Sequence, residues 1–575
     1  MDDKSFKDPV YGYIGVPSDL VHSVVDTQAF QRLRHIIQTS YEPLYPSATH
    51  NRFVHSLGVY HLGDFVARIV ETSSFAGLEE LFGGQREVYK RYLEVYRLAC
   101  LLHDVGHAPF SHTGEEFYVS ASENGQPRSL HRRIAGLLKD QSFAEEYKKN
   151  DEVAAPHELM SVVIGLVTYK NLFKSDAERG FFARAITGYK LPANGNNADG
   201  VDNSYLNCLI SLLHSLTIDV DRLDYLIRDA FATGFKTVSV DYQRLLGGVR
   251  IRLVDGKCVL AFTKSAVSVL ENVIYAHDAE KKWVQKHPAI NYEMHLLNRA
   301  FVAVNEKYAK KLRGKTIFCE AALMNRGVKL PKSGGLRLRY LCDDDLLFLM
   351  KNVDDDSARK YLSRDERYLP LWKSEAEFCA LFSKASWADN NSTVEDLRRL
   401  KYVFEALMKI LMKNGIAEIN DKTVAKLAKD AEDARKRCAP GTDETKQILA
   451  NACIYGQKNL LCEFARMLKS FARRHRTPFH FQIFEGKVFT SGFATDKLPN
   501  LLVELGVSGG MVEFGKITNV LASRNADLPA KVYYLFGERW RGDKYLLARE
   551  LVKGLKDFVG RKRDSIEQAF YSRRD

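Results

Sequence analysis

The sequence predicts a mainly α-helical protein with small β elements and a C-terminal α+β domain. Apolar residues recur at three- and four-residue steps through most of the first 310 residues, as they do in amphipathic helices. Short alternating runs after residue 475 indicate strands instead. The chain of 575 residues is 45% hydrophobic and 27% charged, which is typical of a globular protein and excludes a largely disordered or fibrous one.

Helices and one hairpin account for residues 1–310, which we interpret as a single helical core. The segment 191–204 is rich in Asn, Gly and Asp and predicts a polar loop. The alternating segment 249–262 turns at Asp255-Gly256, a pair that is typical of a β-hairpin. The predicted helical regions are 53–70, 88–103, 157–169 and 205–231.

The rest of the chain is predicted to form two further regions. Residues 311–385 mix short strands with acidic helices and extend the core. Residues 386–575 form the α+β domain, whose role the sequence does not reveal. Its charged helices are predicted at 393–413, 422–437 and 444–474, and its strands at 479–484 and 531–536.

Composition narrows the partners and the compartment. A net charge of +12 favours anionic partners, namely nucleotides, nucleic acid or an acidic membrane surface. The charged residues 1–8 do not resemble a signal peptide, and no run of about 18 apolar residues predicts a membrane span. Nine cysteines without a CxxC pair argue against a disulfide framework or a zinc ribbon. We therefore expect a cytoplasmic protein.

Three polar motifs interrupt apolar helical sequence: HNRFVHSLG at 50–58, LHDVGHAPFSH at 102–112 and TIDVDRLDY at 217–225. Buried polar groups need partners, because burying an unpaired charge is costly. A metal ion bound by two imidazoles and two carboxylates would supply them, and such ligands suit iron, manganese, nickel or zinc better than calcium. A His-Asp pair alone is more often a surface or capping pair, but the conjunction of the motifs favours a metal.

Together these motifs resemble the HD-domain phosphohydrolases, and more narrowly the dGTPase-like deoxynucleoside triphosphate triphosphohydrolases. The resemblance begins at KDPVYGYI (7–14), continues through DTQAFQRLR (26–34) and has a weaker echo at 343–347, so it covers about residues 4–375. It implies a helical HD core, a homo-oligomer (dimer or tetramer), and a role in limiting deoxynucleotide pools, such as antiviral defence.

The resemblance also implies the metal centre and the reaction. The metal ligands fall on His55, His103, Asp104 and Asp221. The implied reaction is hydrolysis of a deoxynucleoside triphosphate to deoxynucleoside and inorganic triphosphate, in which metal-activated water attacks the α-phosphorus. Magnesium would accompany the triphosphate.

Four further residues are implied to lie in the catalytic site: His107, His112, His157 and Glu115. His112 would give a proton to the departing 5′-oxygen, because an imidazole can hold a proton near neutral pH. Glu115, one helical turn later, would orient it. The alternative for His112 is a helix-capping role.

The implied substrate-binding residues are Arg52, Gln38, Tyr225, Asp229, Asp219 and Lys281. A forked, permanently charged arginine suits phosphate binding. Tyr225 and Asp229 lie four residues apart on one helix face, where they would recognise deoxyribose or, alternatively, brace the helix through a mutual hydrogen bond. The segment 275–287 offers lysines where the family has an Arg, a His and a Tyr-Gln pair.

A regulatory nucleotide site is implied at Asp26, Gln31 and Arg34, although the three could equally form an internal salt-bridge cluster. The basic runs 473–476, 561–563 and 573–574 read as solvated faces without interleaved aromatic residues, which argues against a nucleic-acid partner.

Two other functions remain open from the sequence. One is a phosphohydrolase of the same core that acts on a nucleoside monophosphate, a cyclic dinucleotide or an alarmone. The other is a nucleotide- or nucleic-acid-binding regulator without turnover.

Overall fold

The computed structural model divides into two compact units. The first comprises residues 1–285, 293–362 and 491–524, and the second comprises 286–292, 363–490 and 525–575. The limits of these units do not coincide with the predicted domain boundaries at 310 and 385. The segment 491–524 belongs to the first unit, although it follows most of the second unit in the sequence. The structure describes residues 3–120, 128–149, 154–215, 217–235, 239–312, 315–331, 334–363, 366–383, 393–437, 445–487, 498–506, 510–518, 520 and 531–570.

Helices dominate the first unit, as predicted. Two more helices, Pro288–Tyr308 and Asp356–Ser363, contribute residues to both units. The longer helices of the first unit are Arg52–Ser73, Arg86–Leu102, His112–Ser120, Arg128–Leu138, Pro156–Thr168, Asp176–Thr187, Asn203–Leu213, Val220–Thr233, Val267–Glu280 and Asp343–Lys351. Its shorter α-helices are Ser18–Leu20, Gln28–Gln31, Glu79–Phe82, Glu146–Lys149, Tyr242–Gly247 and Glu320–Leu323.

The predicted helical region 205–231 is two helices in the structure. The first ends at Leu213 and the second begins at Val220. Asp219 causes the break, because its side chain accepts hydrogen bonds from the backbone N–H groups of Arg222 (2.8 Å) and Ser215 (3.0 Å). One carboxylate oxygen of Asp219 thus caps the second helix and the other binds the linker that precedes it, and contact of Asp219 with substrate stays a prediction.

Three small sheets complete the first unit. The N-terminal hairpin pairs Asp3–Asp8 with Gly12–Pro17. A four-stranded sheet has the order Met511–Glu513, Leu502–Glu504, Lys257–Thr263, Val249–Val254, in which the two central strands are parallel. The third sheet pairs Val328–Lys329 with Arg337–Leu338.

The predicted hairpin at 249–262 is confirmed. Its two strands are antiparallel and turn at Asp255 and Gly256, which both have left-handed backbone conformations (φ 49° and 75°). Positive φ at both central residues is the geometry that matches the twist of a two-residue hairpin.

The second unit is an α+β domain, also as predicted. Its four-stranded antiparallel sheet has the order Leu369–Pro370, Lys531–Gly537, Phe481–Lys487, Glu418–Ile419. Its helices are Glu375–Leu381, Val394–Lys413, Asp421–Arg437, Thr445–Arg474, Lys544–Arg561 and Arg563–Phe570.

Almost all of the net positive charge belongs to the second unit. It holds 36 of the 84 Lys and Arg residues but 25 of the 72 Asp and Glu residues, so it carries +11 of the net +12. The basic runs 473–476 and 561–563 lie there, and 573–574 lies outside the described residues. The long-range attraction for anions that composition predicts is therefore a property of this unit.

Among the described residues, no helix combines the length and the apolar character that a bilayer crossing requires.

Candidate metal centre and active site

Helix ends bring three predicted metal ligands together. His55 lies in the first turn of the helix Arg52–Ser73, and Asp221 lies in the first turn of the helix Val220–Thr233. His103 directly follows the carboxyl end of another helix. Asn51 fixes the start of the first helix, because its side chain accepts a hydrogen bond from a backbone N–H in the first turn.

The ligand atoms of these residues lie close together. His55 Nε2 lies 3.0 Å from Asp221 Oδ1 and 3.3 Å from His103 Nε2, and the remaining distance, from His103 Nε2 to Asp221 Oδ1, is 3.6 Å. Asp104 adds one oxygen 3.5 Å from His55 Nε2 and the other 3.4 Å from His103 Nε2. Ligands about 2.0–2.2 Å from one ion are separated by such distances, so His55, His103 and Asp221 could hold a divalent transition metal, and Asp104 as a further ligand stays a prediction.

Hydrogen bonds orient the two imidazoles toward this centre. His55 Nδ1 donates to Asp224 Oδ2 at 2.7 Å, and His103 Nδ1 donates to the carbonyl oxygen of Cys100 at 2.9 Å. Because each ring uses Nδ1 in this way, Nε2 is the nitrogen that faces the centre, where a metal would take the place of a proton. Burial by itself would raise the pKa of Asp224, but Arg228 and His55 lower it to about 2, so this acceptor is charged.

Asp104 is held by Arg52 at the predicted phosphate end of the site. Arg52 Nη1 donates to Asp104 Oδ2 at 2.6 Å, Nε donates to Ser111 Oγ at 2.9 Å and Nη2 donates to the carbonyl oxygen of Gln38 at 3.1 Å. Despite burial, this guanidinium and nearby histidines lower the pKa of Asp104 well below its usual range. Arg52 thus fixes a metal ligand, and its contact with phosphate stays a prediction.

Gln38 is buried beside this arginine, and its side-chain carbonyl oxygen has no hydrogen-bond partner among the described residues. An unpaired buried acceptor is costly, and a ligand hydroxyl would satisfy it. This geometry is compatible with the predicted role of Gln38 in substrate binding.

Glu115 gathers the three predicted catalytic histidines, and we call these four residues the Glu115 cluster. Its carboxylate accepts hydrogen bonds from His112 Nδ1 (2.8 Å) and His157 Nδ1 (2.9 Å), and it lies 3.2 Å from His107 Nδ1. The rings of His107 and His157 stack 3.9 Å apart. The ligand atoms of the cluster are close enough to hold a cation.

Charge is distributed unequally within the cluster. Burial favours neutral imidazoles, but Glu115 outweighs it at His157 and raises that pKa to about 9. At His107, burial together with Arg52 and His157 lowers the pKa to about 3. At neutral pH the cluster therefore holds one neutral ring beside one cationic ring. The side chain of His112 is 63% exposed and stands at the mouth of the site.

Tyr225 and Asp229 lie on the helix Val220–Thr233, as the sequence predicts. Asp229 is buried and accepts a hydrogen bond from His50 Nε2 at 2.7 Å. Within the described part of the chain it makes no hydrogen bond to Tyr225, so the bracing alternative is not observed.

The segment 275–287 places a buried carboxylic acid, Glu280, near Asp229. Glu280 is buried, accepts a hydrogen bond from Gln285 Nε2 at 2.7 Å, and has a second oxygen without a partner among the described residues. Burial and the nearby Asp229 raise its pKa well above the usual range. Lys281 lies next to this pair and is half-buried.

Among the described residues, only two of the three predicted regulatory residues contact each other. Arg34 Nε donates to Gln31 Oε1 at 2.8 Å, and its guanidinium stacks on the Phe53 ring. Asp26 instead pairs with Lys4 at 3.9 Å. The salt-bridge cluster exists only in part, and a nucleotide site at these residues stays a prediction.

Sequence reasoning gave no role to Asp224 and Arg228. Asp224 is the partner of His55, and the side chain of Arg228 binds Asp224 and Asp8. The available signal was spacing: Asp224 follows Asp221 by three residues and therefore shares its helix face.

Arg32 and Asp343 were also missed, and both bind backbone groups around the HD motif. Arg32 donates to the carbonyl oxygens of Val105 (2.8 Å) and His107 (2.9 Å). Asp343 accepts from the backbone N–H groups of Phe110 (2.6 Å) and Ile37 (2.8 Å). The sequence shows an echo of the family at 343–347, but Asp343 binds residues that lie more than 200 positions away in the sequence, which no local motif indicates.

Residues 52–176 match the family model of the HD domain. This range contains His55, His103, Asp104 and the whole Glu115 cluster.

Several curated proteins are similar to about half of the chain. A protein of Dictyostelium discoideum, named deoxynucleoside triphosphate triphosphohydrolase SAMHD1 homolog, is 30% identical over 249 residues, covering 42% of this chain and 39% of that protein. The Danio rerio deoxynucleoside triphosphate triphosphohydrolase SAMHD1 is 28% identical over 301 residues, covering 52% and 44%. An uncharacterized protein of Mycoplasma genitalium is 28% identical over 277 residues, covering 48% and 54%. The chain thus spans about half the length of the curated relatives it matches.

A crystal structure of a hypothetical protein from Aquifex aeolicus is similar in fold, with a TM-score of 0.50, 18% identity and coverage of 97% of this chain and 100% of that one. At this identity the likeness concerns the fold alone. The HD domain and the curated relatives confirm the predicted resemblance to an HD-domain, dNTPase-like family.

Proposed function

We propose that this protein is a metal-dependent phosphohydrolase that cleaves deoxynucleoside triphosphates into deoxynucleoside and inorganic triphosphate. The observation that carries the proposal is the convergence of His55, His103 and Asp221, whose ligand atoms lie 3.0–3.6 Å apart, with oxygens of Asp104 3.4–3.5 Å from the two imidazoles. The names of the Dictyostelium and Danio relatives supply the substrate class.

The metal would be iron, manganese, nickel or zinc, and its chemical contribution is to make water nucleophilic near neutral pH. The protein supplies the rest of the centre. Asp224 and Cys100 orient the two imidazoles, and Arg52 orients Asp104. These contacts keep the ligands in position before substrate binds.

The leaving group would be protonated by His112. Its ring is exposed at the mouth of the site, and Glu115 accepts a hydrogen bond from Nδ1, which leaves Nε2 facing outward. A proton at that atom can pass to the departing 5′-oxygen. The cationic ring of His157, also held by Glu115, would attract the triphosphate.

The deoxynucleoside end would be formed by Gln38, Tyr225 and Asp229. Asp229 is a buried carboxylate held by His50, and Gln38 has a carbonyl oxygen that is unpaired among the described residues and could accept a hydrogen bond from a sugar hydroxyl. Tyr225 would exclude a 2′-hydroxyl. Replacement of Tyr225 by alanine should therefore admit ribonucleoside triphosphates, which can be measured as a change in the dNTP-to-NTP ratio of kcat/KM.

Product analysis tests the reaction. Purified protein is incubated with each deoxynucleotide, singly and mixed, with manganese, iron or magnesium, and the products are separated by chromatography. Tripolyphosphate release is expected, and it should disappear in the double variant His103→Ala, Asp104→Ala. A matched control replaces the exposed pair His35 and Asp344, which lie 3.0 Å apart on the surface of the same unit.

Each alternative function has its own signature in this assay. Orthophosphate as the sole inorganic product would contradict the proposal and indicate another phosphoester substrate. Nucleotide binding that survives the double variant, without turnover in the wild type, would indicate a regulator. A nucleotide activator at Asp26, Gln31 and Arg34 would appear as turnover only in mixed nucleotides. Light scattering would measure the molar mass in solution and so distinguish a monomer from the expected dimer or tetramer.

A further inference from the structure

Buried ionic contacts join the N-terminal hairpin to the candidate metal ligand His55. Asp8 Oδ2 lies 2.9 Å from Arg228 Nη1. Arg228 in turn donates to both oxygens of Asp224, at 2.9 and 3.0 Å, and Asp224 accepts from His55 at 2.7 Å. None of the four residues is more than 4% exposed. We call this series the Asp8–His55 relay.

The hairpin end of the relay is fixed by Asp8 itself. Its other carboxylate oxygen accepts hydrogen bonds from the backbone N–H groups of Val10 and Tyr11, both at 2.9 Å. The ring of Tyr11 lies 5.6 Å from the Arg228 guanidinium. The turn of the hairpin is therefore attached to Arg228 through one carboxylate and one aromatic ring.

The metal end of the relay has no spare space. A Cβ atom at Gly58 would lie 1.9 Å from Asp224 Oδ1 and 2.5 Å from Arg228 Nη2. The helix that carries His55 thus approaches the Asp224–Arg228 pair closely, which only a glycine permits. Because Arg228 engages both oxygens of Asp224, the direction from which Asp224 can accept the His55 hydrogen bond is fixed.

We propose that Asp8 and Arg228 are positioning residues for the metal, and that metal binding and docking of the N-terminal hairpin are thermodynamically coupled. The inference rests on the proposed function in one respect, that His55 is a metal ligand. Outer residues that orient a metal-bound histidine contribute about 10–100-fold to metal affinity. Coupling between two sites is reciprocal, so the metal must stabilise the hairpin as much as the hairpin stabilises the metal.

Metal affinity tests the first half of the proposal. Manganese binding to the full chain is measured by equilibrium dialysis with elemental analysis, independently of activity. We expect Asp224→Asn to weaken binding about 10–100-fold, and Asp8→Asn and Arg228→Lys to weaken it about 10-fold. Arg228→Lys keeps the buried charge but loses the fork, so it provides a second variant if Asp8→Asn folds poorly. The control Asp64→Asn removes a carboxylate from the His55 helix that binds Arg97 at 2.7 Å, and it should leave affinity unchanged.

Hydrogen exchange tests the second half. In the wild type, manganese should slow exchange of the hairpin amides, most strongly at Val10 and Tyr11. In Asp8→Asn, exchange at these amides should no longer depend on manganese. Metal binding in Asp8→Asn and Arg228→Lys equal to wild type, or hairpin exchange unaffected by metal, would overturn the relay alone. A wild-type protein that binds no metal would overturn the proposed function together with the relay.

Discussion

The Glu115 cluster leads to a specific prediction for the variant Glu115→Gln. Glu115 accepts hydrogen bonds from two imidazoles and raises the pKa of His157 to about 9, against the effect of burial. The difference from the ordinary value of about 6.5 corresponds to about 3 kcal/mol in favour of the charged ring. A neutral glutamine removes the largest share of that support, to which Glu158 and Asp104 also contribute, so burial should bring the pKa of His157 down toward its ordinary value.

The consequence depends on pH in a defined direction. At pH 7.5 nearly all His157 is protonated in the wild type, whereas a variant pKa near the ordinary value of about 6.5 would leave about a tenth protonated. If the cationic ring attracts the triphosphate, KM for the deoxynucleotide should rise at least about tenfold at pH 7.5 and recover below pH 6. The stability that this raised pKa contributes is fully present below about pH 6.5 and is lost as the pH rises through about 9.

The assay is a set of KM and kcat profiles from pH 5.5 to 9.5 for the wild type, Glu115→Gln and Glu116→Gln. Glu116 is the adjacent, exposed carboxylate, and its contact is with Asn298 outside the cluster. Its variant should follow the wild type. Superimposable profiles for the two variants would refute the role of Glu115 in holding a cationic His157.

Two further substitutions test how the site is constructed. Gly58→Ala would place a Cβ 1.9 Å from Asp224 Oδ1, so we expect loss of bound metal and a fall of more than about 1 kcal/mol in the free energy of unfolding. In the control Gly136→Ala nothing lies within 4 Å of the added Cβ, and this variant should be more stable than the wild type by about 0.5–1 kcal/mol. Equal unfolding curves for the two variants would contradict this prediction. Asp343→Ala would leave two backbone N–H groups without their acceptor, so it should lower the free energy of unfolding by about 1–3 kcal/mol and should lower kcat. The control Asp344→Ala, at an exposed carboxylate, should change neither stability nor kcat. Denaturant titration and steady-state kinetics measure the two quantities.

The candidate metal ligands could be named from the sequence because each belongs to a short motif that resembles the HD-domain family. His55, His103, Asp104 and Asp221 are polar residues in apolar helical sequence, and burial of such residues demands a common partner. The helices themselves were also predictable, because a three- and four-residue apolar period is a local property.

Contacts between distant segments could not be predicted in the same way. Asp8 and Arg228 are 220 residues apart, and nothing in either motif indicates that they form an ion pair. Asp219 lies in the same motif as Asp221, but one of its oxygens caps the helix and the other binds the preceding linker. The strand Leu502–Glu504 pairs with Lys257–Thr263 in one sheet. The segment 491–524 therefore belongs to the first unit, although most of the second unit precedes it in the sequence.

The sequence by itself determined the helical class, the β-hairpin at 249–262, the C-terminal α+β domain and the identity of four metal-ligand candidates. The class, the hairpin and the domain follow from periodicity and residue type, which are local properties, and the four candidates follow from the resemblance of short motifs to the HD-domain family. The tertiary structure alone decided that three histidines gather around one carboxylate, that Arg52 faces Asp104, and that a chain of buried charges reaches from the N-terminal hairpin to His55. The physical reason is that a buried charge is tolerable only beside its partner, and packing, rather than local sequence, determines which partner comes within reach.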